Sequence, residues 1–305
     1  MAVAFLLSLA HGANPIPYAD VWDAIWNRGE NEASWTVWDQ RLPRTVIGIL
    51  TGAAFALAGA LIQALSRNPL ADSGILGVNA GAGLAVTVGV GLVGIAGITQ
   101  YIWFAFAGAA ATTVLVYIIG VAGGARGANH ATLVLAGVAL GAVFGGITSF
   151  LTLIDPDTFE AIRNWNLGSV ARTSLSDAQF VIPFLLLGLV LAVLVSTDLN
   201  SIALGDDLAD SLGTKVVRAR ILTILAVTVL AGGATALTGG IGFVGLMVPH
   251  VVRWIVGPRT SDGSSSTACW VDLRWCCWPT PWAGSSPARV RSRSASSRPS
   301  SAPRC

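Results

Sequence analysis

Charge is what this chain lacks. Only 11% of its 305 residues are Asp, Glu, Lys or Arg, where a soluble domain carries about 25%. From Thr45 to Ile154 the charged residues are Arg67, Asp72 and Arg126 alone. So few charges cannot cover a surface that faces water, which excludes the soluble globular classes. Lipid can cover such a surface instead. Cysteine is absent before Cys269, and the three histidines, His11, His130 and His250, stand far apart. Neither pattern has metal-site spacing. His250 follows Pro249 near a helix start and reads as structural rather than as a ligand. There is no P-loop and no HExxH, so no cofactor is expected on this chain and no ATPase site of its own. No Asp, Glu or Lys lies in the middle of an apolar run. Ion-coupled carriers place ionisable groups there because the coupling ion binds inside the membrane. A secondary carrier is therefore disfavoured, and a separate energising subunit is implied. A secretory signal is missing too: Met1–Ala10 is apolar but lacks a basic flank. It is short of the roughly 20 residues a span needs, and reads as the end of a first membrane helix that begins upstream.

What is present is hydrophobic length. The chain is 53% hydrophobic, with a mean hydropathy of +0.68 and 35 glycines. Apolar runs that could span are 44–65, 75–96, 101–122, 132–154, 178–197 and 219–237, followed by a shorter one at 243–256. With the N-terminal piece this predicts an all-α polytopic membrane protein with about eight membrane helices. Arg41-Leu-Pro-Arg44 reads as a helix-breaking basic entry to the first long run, and Arg67-Asn-Pro-Leu-Ala-Asp72 as a polar hinge after it. Trp22 and Trp26, four apart beside Trp35 and Trp38, suggest an interfacial belt. The rows Gly48/Gly52/Ala56 and Gly137/Gly141/Gly145 put small residues at four-residue spacing, a pattern for close helix packing rather than a pore lining. Alternating the links places Arg67, Arg126, Lys215, Arg218, Arg220 and Arg253 on one side, against Arg28, Arg41, Arg44, Arg163 and Arg172. The bias is slight, and the cluster from Lys215 to Arg220 favours its side as cytoplasmic.

Several stretches match one family in order: Arg41-Leu-Pro-Arg44, Gly59-Ala-Leu-Ile-Gln-Ala64, Arg67-Asn-Pro-Leu-Ala-Asp72 with Gly74-Ile-Leu-Gly-Val78, Leu135-Ala-Gly-Val-Ala-Leu-Gly141, Trp165-Asn-Leu-Gly-Ser169, Ala203-Leu-Gly-Asp-Asp-Leu-Ala-Asp-Ser-Leu-Gly213 and Gly242-Phe-Val-Gly-Leu-Met-Val-Pro-His250. On these the chain resembles the FecCD-type permeases of ABC importers, which carry ferric siderophores, haem or vitamin B12. The resemblance implies a ten-helix permease fold in the cytoplasmic (inner) membrane, of which residues 1–258 supply about eight helices. It implies a ferric-siderophore substrate, with vitamin B12 or haem as the alternative. It also implies a homodimer or a paired homologous permease, cytoplasmic ATP-binding subunits that use the ATP, and an extracytoplasmic substrate-binding protein. Membrane lipid is the surrounding partner, and nucleic acid is none. Leu204, Gly205, Asp206, Asp207, Ala209, Leu212 and Gly213 match the family's ATPase-coupling loop. Arg41, Pro43, Arg44, Arg67, Asn68, Pro69, Asp72, Gly242, Gly245, Pro249 and His250 belong to its motifs and hinge. Arg163 and Arg172, on the expected outer side, are candidate contacts for the binding protein.

The chain changes character after Pro258. The last 47 residues carry all four cysteines, four of eleven tryptophans, seven Arg and two acids. That is +5 for the tail, and so −3 for the body of a chain whose net charge is +2. Composition alone describes residues 259–305 as a disordered basic tail. The codons describe something else. Trp275-Cys-Cys-Trp-Pro279 must be written TGG TGY TGY TGG CCN, and reading from the third base gives Val-Leu-Leu-Ala without freedom. The next codon permits Asp, and Leu-Leu-Ala-Asp is typical of the family's penultimate helix. Residues 259–305 are accordingly expected to be out of frame, which would make this polypeptide an inactive, pseudogene-like product. The gene decides it: a single insertion or deletion near codons 257–261 is expected, with the alternative frame open through the tail. Stops in that frame would remove the idea.

Overall fold

The computed structural model describes residues 2–12, 16–27, 31–95, 97–122, 130–171 and 173–256. Residues 257–305, Arg172 and Arg126 lie outside them. Among the described residues every regular element is helical. In order these are α1 Ala2–Ala10, α2 Tyr18–Trp26, α3 Glu32–Trp35, a π-helical turn Thr36–Arg41, α4 Leu42–Ser66, a 3₁₀ turn Ser73–Leu76, α5 Val78–Val88 with a π-helical end Gly89–Val93, and α6 Ile98–Ala122. There follow α7 His130–Ile154, α8 Pro156–Asn166, α9 Leu175–Ala203, α10 Asp206–Ser211, α11 Val216–Thr238 and α12 Val244–Val256. Five helices are long and apolar enough to cross a membrane, and Val78–Val93 and Val244–Ile255 are shorter apolar helices. With the nine-residue α1 these are the eight apolar segments read from the sequence.

Two segments differ from that reading. Arg41-Leu-Pro-Arg44 does not break the helix: Glu32–Ser66 is continuous over 35 residues. Pro43 stands in the first turn of α4, where its missing N–H costs little. The π turn before it absorbs the misfit, with the Leu42 N–H donating five residues back to the Val37 carbonyl. The run at 75–96 is not one long helix either. It starts as a 3₁₀ turn, is capped by left-handed Gly77 and restarts at Val78.

Helix α11 is the centre. It packs on α9, α4, α6 and α5, and 78% of its apolar window is buried against 11% for α7. Its buried threonines satisfy themselves: Thr223 and Thr228 donate to the carbonyls of Ala219 and Ile224, each at 2.7 Å. Thr51 and Thr87 do the same in α4 and α5. A hydroxyl can therefore sit in an apolar interior without water. The outward faces of α7 and α9 expose Leu135, Val138, Phe150, Leu153, Leu187, Val190 and Leu194. Patches that large and apolar belong to surfaces covered by lipid or by other helices.

Close approach depends on small residues at two places. A Cβ on Gly59 would overlap the backbone of Gly245, so α4 and α12 touch main chain to main chain. A Cβ on Gly137 would overlap the Ile75 carbonyl, which seats α7 on the 3₁₀ turn. The Gly137 row is close-packed only at that end, since nothing lies within 4 Å of a Cβ on Gly145. Gly59→Ala should destabilise the protein by about 1–3 kcal/mol, the usual cost of overpacking. Gly48→Ala, which meets nothing within 4 Å, should be silent. Thermal unfolding of the purified variants in detergent checks both, and equal midpoints would refute the close-contact reading.

Candidate coupling end and substrate path

Helices α4, α5 with its π-helical end, α6, α7 and α9 run in alternation, α5 antiparallel to α6, which sorts the predicted residues onto two ends. Arg41, Arg44 and Arg163 share one end. Arg67, Asp206 and Arg220 share the other.

At the first end Arg41 is only 3% exposed. Its Nη1 donates to the carbonyls of Leu9 at 2.7 Å and Ala10 at 2.8 Å. Arg44 donates to those of Ser8 and His11, both at 3.1 Å. Among the described residues no backbone N–H reaches these carbonyls at the end of α1, and two arginines supply donors. The Arg41-Leu-Pro-Arg44 motif is thus a clamp on α1. Beside it, α2 buries Val21 and Ala24 against Val37 and leaves Trp22 and Trp26 exposed, their rings 6.0 Å apart. Arg163 on α8 is exposed, its guanidinium 6.0 Å from the Phe159 ring centroid. Arg172 lies outside the described residues.

The middle of the bundle joins three motifs. Pro249 has no N–H to give the Gly245 carbonyl four residues back. Gln63, 4% exposed, stands in: its Nε2 lies 3.4 Å from the Gly245 and Leu246 carbonyls and 3.1 Å from that of Ala71. Arg253 then donates to Gln63 Oε1 at 2.6 Å. His250 is exposed on the same helix. Gln63 and Arg253 were not among the predicted site residues. The signal was there, as an amide inside an apolar run and a proline four residues after Gly245. Asn79 accepts from Thr235 Oγ1 at 2.8 Å and reaches the Ile241 carbonyl at 3.4 Å, tying α5 to α11. Trp165-Asn-Leu-Gly-Ser169 docks on the end of α11, where the Ser169 N–H reaches the Thr238 carbonyl at 2.7 Å and Thr173 Oγ1 that of Leu237 at 2.5 Å.

The second end is built from the 67–72 segment and the 204–213 loop. α4 stops in a Schellman arrangement: the N–H of Arg67 donates to Ala64 and that of Asn68 to Gln63, with Arg67 left-handed at φ 50°. Asn68 Oδ1 accepts the Leu70 N–H at 3.0 Å around Pro69. Asp72 opens the 3₁₀ turn. Burial raises its pKa above the usual carboxylate range, and the backbone amides of Gly74, Ser73 and Phe243 oppose that rise. Its Oδ1 is buried without a hydrogen-bond partner. A Cβ on Gly245 would lie 2.7 Å from that oxygen, so the hinge and the Gly242–Gly245 turn are in contact. Across the end, Asp206 pairs through Oδ1 with Arg67 at 2.5 Å and through Oδ2 with Arg220 at 2.6 Å. Ala209 is buried, and Leu204, Leu208 and Leu212 are exposed at four-residue spacing.

The profile of the FecCD transport family matches residues 1–270. The ferric enterobactin transport system permease protein FepD of Escherichia coli (strain K12) is 44% identical over 258 residues, 84% of this chain and 77% of the relative. The Fe(3+)-citrate import system permease protein YfmD of Bacillus subtilis (strain 168) is 37% identical over 251 residues, 82% of this chain and 74% of the relative. Among solved structures, an inward-facing metal-chelate type ABC transporter superposes with a TM-score of 0.74 at 25% identity, covering 91% of this chain and 84% of that one. With its motifs packed against one another in a multi-pass helical bundle, the chain belongs to the FecCD transport family.

Proposed function

We propose that this chain is the membrane-embedded subunit through which a ferric siderophore crosses the cytoplasmic membrane, moved by ATP that separate subunits hydrolyse. The observation that carries the substrate is the 44% identity to the ferric enterobactin permease, against 37% for the ferric citrate relative and 34% for the hemin permease HmuU of Yersinia pestis. The chain performs no covalent chemistry. The exposed leucines of the 204–213 loop meet the ATP-binding subunits, the end carrying Arg41, Arg44 and Arg163 faces the binding protein, and a second permease completes the path. Alternating access then requires contacts that differ between inward- and outward-open states.

A second reading concerns this polypeptide rather than its family. The forced codons of Trp275–Pro279 support an out-of-frame tail, which would leave the earlier helices without the partners that close the path. Both readings are tested by uptake of radiolabelled ferric enterobactin in a permease-null strain. A chain re-encoded after residue 258 in the alternative frame should restore uptake, and the 305-residue chain should not. No uptake from either sinks the substrate assignment, and equal uptake from both sinks the out-of-frame reading.

A further inference from the structure

Helix α10 is six residues long and buries only Ala209. It packs on α9 and α11. Glycines flank it, Gly205 at φ 121° and Gly213 at φ 84°, and nothing lies within 4 Å of a Cβ on either. Its ends are tied by backbone bonds, the Gly205 N–H to the Ile202 carbonyl and the Thr214 N–H to that of Ala209, each at 3.0 Å, and with one buried side chain packing adds little to hold its direction. Asp206 adds a tie to the rest of the bundle: its two oxygens take separate arginines from separate helices. Arg220 comes from α11. Arg67 comes from the cap of α4, in a left-handed conformation where glycine is the usual residue. Glycine would fill that position without strain, and the arginine there reaches Asp206. Asp206 and Arg67 are both more than two-fifths exposed, and pairs of that kind add little to stability. A contact of that size biases the direction of a loosely packed turn without deciding whether the protein folds.

We propose that Asp206 is a positioning residue that locks α10 to the α4–α5 hinge, so that the two move as one body. A push on α10 is then delivered through Arg67 to the hinge at Asn68–Asp72 and through Arg220 to α11. The use of that lock rests on the permease reading, while the lock itself is a property of this chain alone.

The test is a distance measurement on the full chain in lipid nanodiscs. The four native cysteines are replaced by Ser, and spin labels are placed at Leu70→Cys and Leu212→Cys, both exposed positions. The parent should show one narrow distance distribution. Arg67→Gly keeps the helix cap and so folds, yet it should broaden the distribution roughly twofold through local freedom. Asp206→Asn should do the same, with the unfolding midpoint little changed. Asp207→Asn, the same charge change next door, should leave the distribution narrow. A distribution that stays narrow in Arg67→Gly and Asp206→Asn, or one that Asp207→Asn broadens equally, overturns the proposal. Distances are read without transport, so failure here is separate from failure in the uptake assay.

Discussion

Backbone polar groups inside a bilayer have no water to turn to, and that constraint orders this fold. A straight helix satisfies it by itself. Each departure from a straight helix frees a donor or an acceptor that some other part of the chain must meet. Pro249 frees the Gly245 carbonyl, and Gln63 approaches it from α4. The end of α1 frees the carbonyls from Ser8 to His11, and Arg41 and Arg44 cover them. The end of α11 frees those of Leu237 and Thr238, and Thr173 and Ser169 cover them. Arg41, Arg44, Gln63, Ser169 and Pro249, all in stretches singled out from the sequence, take part in these compensations. Their residues lie far apart in sequence because each pair repairs one interruption.

The same logic explains how much was legible beforehand. Runs such as 132–154 and 178–197 became long helices because nothing competes with helix formation in an apolar run of that length. Interruptions were harder to place. Arg41-Leu-Pro-Arg44 carries the usual marks of a break, but a π turn one step earlier absorbs the proline and the helix runs on. The run at 75–96 reads as one span by hydropathy, and hydropathy is blind to a left-handed Gly77. The roles of Gln63 and Arg253 are invisible in the sequence because they exist only once α12 lies on α4, 182 to 190 residues apart in sequence. The pairing of Arg67 with Asp206 spans 139 residues and was hidden for the same reason.

The costs in the structure are not spread evenly. Arg67 and Phe243 are the described non-glycine residues with positive φ, at 50° and 66°. A bulky aromatic in that conformation is strained, and it persists only where its surroundings hold it. The buried Asp72 oxygen without a partner lies in the same region, against Gly245. All three belong to two short turns, 67–77 and 239–245, where helices stop and restart instead of crossing straight through. In the described parts of α6 and α7 no such residue is found, although they are among the longest helices present. Strain of this kind is retained where a segment must be able to change. The two turns touch each other, and one of them is tied through Arg67 to the surface loop at Asp206. The interrupted helices, rather than the straight ones, are therefore where this fold holds its strain.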